Sequence, residues 1–262
     1  MADKTSRFGS GFDLRKALCL AALALGLFGV FASLRPAVAE TGPAVDLQLV
    51  LAVDASGSVN AVRFELQKRG YIEAFRNPRI LKAIQSGNAQ AIAVTMMQWT
   101  GPTQQYQVVP WTMLKDEATM HTFAALIERA PRHLYSGGTS ISGAIEQSVR
   151  LLGDSPFTGG RRVIDVSGDG ANNRGRPAAE ARDAAIAAGI AINGLPILEL
   201  EPNLEEYYRD NVIGGPNSFV IAAQSFEEFA DAVLKKLITE IAAPLGMPLR
   251  VGQRSGSSSQ PR

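Results

Sequence analysis

The chain has 262 residues, a length that predicts one or two domains, and 46% hydrophobic with 19% charged residues. That composition supports a packed core and argues against a disordered chain. The net charge of +1 gives no basic footprint, so nucleic acid is not an expected partner. The single cysteine, Cys19, lies in an apolar run near the N-terminus, so the rest of the chain has neither a disulfide nor a cysteine metal site.

Residues 1–39 have the order of a secretory signal peptide. Basic residues up to Lys16 precede a mostly apolar run from Ala17 to Leu34, and Ala37-Val38-Ala39 has the A-x-A pattern of a cleavage site. We expect cleavage after Ala39 and a periplasmic or secreted bacterial protein. The alternative is an uncleaved membrane anchor, since the apolar run is nearly long enough to cross a bilayer.

The remainder divides into a domain over residues 40–243 and a C-terminal tail over residues 244–262. The segment from Gly252 to Arg262 is rich in Ser, Gln, Gly and Arg. It cannot bury enough apolar surface to offset its ordering entropy, so we expect a flexible tail.

In the first half of the domain, apolar runs alternate with helical periodicity. The predicted elements are a strand from Leu47 to Val53, a helix with Phe64, Tyr71 and Phe75 on one face and an end at Asn77-Pro78, strands from Ala91 to Trp99 and from Tyr106 to Trp111, and a helix with Met120, Phe123, Ala124 and Ile127 on one face. Pro110 cannot donate to a ladder, which makes the third strand an edge.

The second half continues the alternation. The predicted elements are a helix from Ile141 to Gly153, a strand from Val163 to Ser167, a helix from Pro177 to Ala188, strands from Ala191 to Pro196 and from Ser218 to Ala222, and a last helix with a Ser225–Glu228 capping box. The pattern predicts an α/β fold with a doubly wound, mostly parallel six-stranded sheet and helices on both faces. In such sheets ligands bind outside the carboxyl ends of the strands.

Three segments with oxygen-bearing side chains lie at the predicted carboxyl edge of the sheet. Two of them follow strands and one precedes a helix. Asp54-Ala55-Ser56-Gly57-Ser58 follows the first strand, Gly137-Gly138-Thr139-Ser140 precedes a helix, and Ser167-Gly168-Asp169-Gly170 follows the fourth strand. Each has an ordinary explanation: a chance match, helix capping by Thr139 or Ser140, and an Asp-Gly turn. Together they offer a hard divalent cation the oxygen ligands that it prefers.

The chain order of D-x-S-x-S, then Thr, then Asp resembles the metal-ion-dependent adhesion site (MIDAS) of von Willebrand factor type A (vWA) domains. The similarity covers roughly Val45 to Ile241 and extends to an uncharacterised family of secreted bacterial vWA proteins. The resemblance implies one metal site for Mg²⁺, with Mn²⁺ or Ca²⁺ as alternatives. Its ligands would be Asp54, Ser56, Ser58, Thr139 and Asp169, and an open position would accept a carboxylate from a protein partner.

Two features depart from that family. Ser167 and Gly168 precede Asp169 where the family has Thr-Asp-Gly, so a hydroxyl next to the acid is missing. Asp165 falls inside a strand, where a charge is costly unless it is paired. We expect a structural role for Asp165, with Arg161 or Arg162 as its partner, and the alternative is an acid that supports the metal ligands.

The function expected from the resemblance is a non-enzymatic, cation-dependent protein-binding module for adhesion or scaffolding. The alternatives are a Mg²⁺-dependent phosphatase with Asp54 as nucleophile and a metal-free vWA scaffold. No G-x-S-x-G elbow or P-loop is present. We interpret His121 and His133 as surface residues, and Trp99 and Trp111 as packing residues.

An acidic stretch lies in the long predicted loop from Leu198 to Asn217, and it comprises Glu199, Glu201, Glu205 and Glu206. The default interpretation is a solvated face. Long loops near a binding edge often carry partner contacts, which leaves that role open for the stretch.

Overall fold

The computed structural model describes residues 42–243, which form an α/β domain around a five-stranded sheet. The strands are β1 (Leu47–Asp54), β2 (Ile92–Trp99), β3 (Gln105–Leu114), β4 (Arg161–Gly168) and β5 (Ala191–Pro196). Their order is β3-β2-β1-β4-β5, with β3 antiparallel to β2 and every other pair parallel. The predicted signal peptide and C-terminal tail lie outside the described residues.

Helices cover both faces of the sheet. They are α1 (Ala61–Arg76), α2 (Pro78–Gln85), α3 (Glu117–Arg129), α4 (Ile141–Gly153), α5 (Ala178–Ala187), α6 (Leu204–Asn211) and α7 (Phe229–Ala242). One apolar cluster joins the sheet to α1, α2, α3 and α7, and a second joins the opposite face to α4, α5 and α6. Among these helices none is both long and apolar enough to cross a membrane. The doubly wound class is therefore confirmed.

The central strand β1 shows why helices must pack on both faces of the sheet. All eight of its residues are buried. Leu49 and Leu51 enter one apolar cluster while Val50 and Ala52 enter the other, because successive side chains of a strand point to opposite faces. A near-continuous apolar run is typical of a parallel strand that is covered on both sides. Asp54 ends this strand at the carboxyl edge of the sheet.

The predicted end of the first helix is confirmed, and a helix that the sequence did not predict follows it. Asn77 ends α1 with its backbone N–H bonded to Ala74 O, and its side chain accepts a hydrogen bond from Arg79 N. Pro78 stands at the first position of α2, where its missing N–H costs nothing. One residue thus closes α1 and caps α2.

The predicted sixth strand is wrong as a continuous element. The segment that contains Ser218 to Ala222 runs beside β5 but makes only isolated bridges, Gly194–Val220 and Ile197–Ala223. Ile221 N–H bonds Gly194 O, and Ala223 N–H bonds Pro196 O. In a regular parallel ladder the donor between these bonds would be the N–H of residue 196. Pro196 has no N–H, so the ladder is interrupted there.

Two further predictions near the C-terminus are wrong. The last helix begins at Phe229 with Glu228 at its N-cap and no side-chain capping bond, so the Ser225–Glu228 capping box does not form. The long predicted loop also contains α6, a short helix whose Leu204 and Tyr208 are buried. Those two side chains pack into the cluster beneath α4 and α5, and that packing stabilises a helix of mostly polar sequence.

Candidate metal site

Three loops meet at the carboxyl edge of the sheet. The first loop (residues 55–60) links β1 to α1, the second loop (residues 130–140) precedes α4, and the third loop (residues 169–177) links β4 to α5. Because β1 and β4 are parallel neighbours, the first and third loops leave the sheet side by side. The predicted ligands therefore lie on adjoining loops.

The first loop folds tightly over the end of β1. Asp54 is fully buried, and its Oδ1 accepts a 2.7 Å hydrogen bond from Ser56 N. The Ser56 and Ser58 hydroxyl oxygens lie 3.2 Å apart. Asn60 then caps α1 by accepting a hydrogen bond from Arg63 N. The alternating Asp, Ser and Ser thus place their side-chain oxygens in one turn before the helix begins.

Hydrogen bonds tie the first loop to the other two. Ser58 Oγ donates to Asp169 Oδ1 at 2.6 Å, which joins the first loop to the third. Gly57 N–H donates to Gly137 O at 3.2 Å, which joins the first loop to the second. Ligands that are far apart in the sequence are thereby held at one place.

Two reciprocal hydrogen bonds join the second loop to the third loop. Thr139 N–H donates to Asn173 Oδ1, and Asn173 N–H donates to Thr139 O, both at 2.9 Å. The Thr139 hydroxyl faces the third loop, since a Cβ built on Gly170 would lie 3.7 Å from its oxygen. The capping role belongs to Ser140, whose hydroxyl accepts from Gly143 N. Helix capping therefore accounts for Ser140 and leaves the Thr139 hydroxyl for another role.

The electrostatics of the site are unfavourable for two bare carboxylates. Asp54 Oδ2 and Asp169 Oδ2 are buried and have no hydrogen-bond partner among the described residues. Burial, and then the charge of Asp169, raise the pKa of Asp54 to about 7. Burial also raises the pKa of Asp169. A positive charge between these oxygens would relieve both effects.

The residues present fit a hard cation better than a soft one. Two carboxylates and three hydroxyls provide only oxygen ligands, which Mg²⁺, Mn²⁺ and Ca²⁺ prefer. Within residues 42–243 no group of three or more His, Cys, Asp or Glu side chains is placed to hold a metal ion. A metal at this edge would therefore depend on the hydroxyls of Ser56, Ser58 and Thr139 as well as on the two acids.

Tyr208 occupies the region where the third loop departs from the vWA pattern. A Cβ built on Gly168 would lie 2.9 Å from Asp54 Oδ2 and 3.1 Å from the Tyr208 hydroxyl. Only glycine leaves room for both oxygens. The Tyr208 hydroxyl is buried without a hydrogen-bond partner among the described residues, and Asp54 and Asp169 both raise its pKa after burial. Tyr208 was not among the predicted site residues, because helix α6, which carries it, was not predicted.

Glu199, Glu201 and Glu206 of the acidic stretch are exposed to solvent, and two of them also contact the site loops. Arg63 donates to Ser58 O at 2.9 Å and forms an ion pair with Glu199. Glu201 accepts a 3.0 Å hydrogen bond from Ala171 N in the third loop. Glu205 instead pairs with Arg209 on the surface of α6. The segment after β5 therefore contacts both the first and the third loops, through Glu199 and Glu201.

Asp165 has a structural role, but its predicted arginine partners are wrong. Its carboxylate lies 2.6 Å from Lys236 Nζ of α7, and both side chains are fully buried. Lys236 also contacts Glu240 at 3.2 Å. Arg161 and Arg162 donate to backbone carbonyls instead. Burial raises the pKa of Asp165 to about 7, and the charge of Lys236 opposes that rise.

The four other singled-out side chains have the predicted surface or packing roles. His121 is exposed beside Glu117, and His133 is exposed with its ring stacked on Tyr106. Trp99 is fully buried, and Trp111 is partly buried with its indole N–H donating to Leu151 O.

The sheet topology and the helices on both faces are those of the vWA fold. The structure of proximal thread matrix protein 1 from the mussel byssus is similar over 77% of this chain and 49% of its own, with 16% identity and a TM-score of 0.58. Another structure of that protein, described with a zinc-occupied MIDAS motif, matches 76% of this chain and 46% of its own with 14% identity and a TM-score of 0.54. The von Willebrand factor type A structure from Catenulispora acidiphila matches 76% of this chain and 43% of its own, with 16% identity and a TM-score of 0.53.

The chain spans less than half the length of these three structures, and their low identity establishes the fold alone. A comparison with curated proteins finds no match. The chain belongs to the family described as "Protein of unknown function (DUF1194)", which matches residues 44–245. The predicted vWA fold and membership in an uncharacterised family are confirmed.

Proposed function

We propose that this protein is a non-catalytic module that binds a protein partner through one divalent cation. The cation is Mg²⁺, with Mn²⁺ or Ca²⁺ as alternatives, and its ligands are Asp54, Ser56, Ser58, Thr139 and Asp169. One observation carries the proposal. Two buried carboxylate oxygens, Asp54 Oδ2 and Asp169 Oδ2, have no hydrogen-bond partner within residues 42–243, where three hydrogen-bonded loops meet. An uncompensated buried charge is costly, and a cation offsets that cost.

The ligand set explains why such a cation would attract a partner. Hydroxyl ligands carry no charge, so two acids leave a divalent ion only just neutralised and still electrophilic. A carboxylate from a protein ligand would complete its coordination. The zinc-occupied MIDAS motif of the mussel protein is in keeping with a divalent ion at this edge of the fold.

The N-terminal sequence supports a location outside the cytoplasm. The basic leader, apolar run and A-x-A pattern of residues 1–39 favour export to the periplasm or the medium. Contact with a membrane would come only through that segment if it is retained. The net charge of +1 argues against a nucleic-acid partner.

Two alternatives are less consistent with the side chains. A phosphatase would need Asp54 to attack a substrate, but its side chain is fully buried and its Oδ1 is bonded to Ser56 N. A second acid two residues later would serve as general acid, and Ser56 stands there. A metal-free scaffold would leave both buried carboxylate oxygens without compensation.

Isothermal titration of the full chain with MgCl₂ and MnCl₂ tests the proposal. We expect one site, and Asp54→Ala or Asp169→Ala should lower its affinity at least tenfold. Asp183→Ala is the matched control, because Asp183 is an exposed acid on α5. No heat of binding, or equal affinity in Asp54→Ala, would contradict the proposal. Turnover of a phosphate ester that Asp54→Asn abolishes would favour the phosphatase.

A further inference from the structure

Exposed apolar side chains gather around the candidate metal site. Among residues 42–243 the large hydrophobic side chains that are exposed are Val62 at 69%, Tyr106 at 50%, Tyr135 at 70% and Leu200 at 47%. Single exposed apolar residues are ordinary on a protein surface. These four, however, all lie in segments at the carboxyl edge of the parallel strands, while the other surfaces of the domain show none.

Tyr135 and Val62 are tied to the first loop. The Tyr135 ring lies 5.1 Å from the guanidinium of Arg132, which donates to Val59 O at 2.6 Å. Val62 is in the first turn of α1 and precedes Arg63, which donates to Ser58 O. Tyr135 and Val62 therefore belong to segments that contact the first loop, which carries Ser56 and Ser58.

Leu200 and Tyr106 extend this surface in two other directions. Leu200 lies between Glu199, which pairs with Arg63, and Glu201, which accepts a hydrogen bond from the third loop. Tyr106 is at the start of β3, opposite Gln98, and its ring stacks on His133 of the second loop with centroids 5.4 Å apart. All three loops thus have an exposed apolar neighbour.

One basic group next to the site is free to meet an acid. A Cβ built on Gly138 would lie 2.5 Å from Arg174 Cγ, so the arginine stem covers the residue before Thr139. Arg174 is exposed, and no carboxylate of the described residues lies within ion-pair distance of it. Arg63, by contrast, is already paired with Glu199.

We propose that these residues form one docking face, the apolar rim, made of Val62, Tyr106, Tyr135 and Leu200 with Arg174 beside them. Its partner is a protein segment in which an Asp or Glu is flanked by apolar or aromatic side chains and followed by a second acid that reaches Arg174. The proposal rests on the proposed function, because the first acid binds the cation. The apolar contacts exclude water, and the exclusion strengthens the charge interactions.

Selection from a random dodecapeptide library displayed on phage tests this inference. The full chain is immobilised with Mn²⁺, and bound phage are eluted with EDTA. We expect the eluted sequences to be enriched in an acid next to Leu, Phe, Tyr or Trp. The same selection on Tyr135→Ser/Leu200→Ser should retain the acid and lose the apolar preference. Arg174→Ala should lose the second acid, and Arg150→Ala, on the last turn of α4, is the matched control.

Affinities of one selected peptide provide a second measurement. We expect Tyr135→Ser/Leu200→Ser to weaken binding at least tenfold and Arg150→Ala to leave it within twofold. Enrichment of acids without apolar neighbours, or no EDTA-released sequences from a chain that binds Mn²⁺ by calorimetry, would overturn the apolar rim alone. Absence of Mn²⁺ binding would instead overturn the proposed function.

Discussion

Ser58 donates a 2.6 Å hydrogen bond to Asp169 Oδ1 across 111 residues of sequence. This bond joins the loop after β1 to the loop after β4, while Asp169 Oδ2 has no partner in the part of the chain that the structure describes. Hydroxyl–carboxylate bonds of this length are among the stronger hydrogen bonds in proteins. Ser58 therefore has two parts in the proposed site: it orients an acid and offers its own oxygen.

Ser58→Ala should weaken both the site and the fold slightly. We expect cation affinity to fall about tenfold, and the free energy of unfolding to fall by about 1.5–3 kcal/mol, the usual loss for a hydrogen bond to a charged group. Calorimetry and urea denaturation measure the two effects. Ser58→Thr keeps the hydroxyl and should retain most of the affinity. Equal affinity in Ser58→Ala would remove Ser58 from the ligand set.

Gly168→Ala should damage the site through steric contact alone. The added Cβ would lie 2.9 Å from Asp54 Oδ2 and 3.1 Å from the Tyr208 hydroxyl, so one of these oxygens must move. We expect at least a tenfold loss of Mg²⁺ affinity by calorimetry. Gly153→Ala is the matched control, because its Cβ would meet nothing within 4 Å and alanine is the better helix former. Unchanged affinity in a folded Gly168→Ala would mean either that the Tyr208 hydroxyl moves and Asp54 stays in place, or that Asp54 Oδ2 does not bind the cation.

Asp54→Asn should change how stability depends on pH in the metal-free chain. Burial raises the pKa of Asp54 from 3.8 to about 7 in the folded chain, so between those pH values the folded state holds a proton that the unfolded state has lost. This carboxyl therefore makes the folded state progressively less stable as pH rises from about 4 to 7, with no further change above. Asparagine removes that effect.

The measurement is urea denaturation in EDTA at several pH values. The variant should gain stability over the natural chain as pH rises, by about 2–4 kcal/mol at pH 7.5. Mg²⁺ should then stabilise the natural chain and not the variant. Asp183→Asn, which changes an exposed acid, should show no such trend. A pH-independent difference between Asp54→Asn and the natural chain would mean that Asp54 is not buried as an acid.

Much of the fold could be predicted because β1, α1 and α3 carry local patterns. An apolar run such as Leu47–Asp54 and a face such as Phe64, Tyr71 and Phe75 encode their own burial. The proposed ligands could be found for the same reason, since each follows or precedes a predictable element. Whether those residues hold a metal is still a prediction.

The missed features depend on contacts between distant residues. Helix α6 forms because Leu204 and Tyr208 find a core to enter, and its own sequence is polar. The sixth strand does not form a continuous ladder because Pro196, in the neighbouring strand β5, has no backbone N–H to donate. The partner of Asp165 lies 71 positions later in α7, at Lys236, whereas Arg161 and Arg162 are its neighbours in sequence. No local pattern carries such information.

Lys236→Met tests the structural role of this buried pair. Removing the ammonium leaves Asp165 buried without its cation and leaves Glu240 with only the guanidinium of Arg161, which donates to the Glu240 backbone carbonyl. Breaking such a buried pair typically costs about 3–5 kcal/mol. We expect a loss of that size in urea denaturation, whereas Lys235→Met, at an exposed neighbouring position, should change stability by less than about 0.5 kcal/mol. Adding Asp165→Asn to Lys236→Met should recover part of the loss, because it removes the buried acid that has lost its cation. Cation affinity should stay within twofold in that double variant. A folded double variant that no longer binds Mg²⁺ would place Asp165 in the metal site after all.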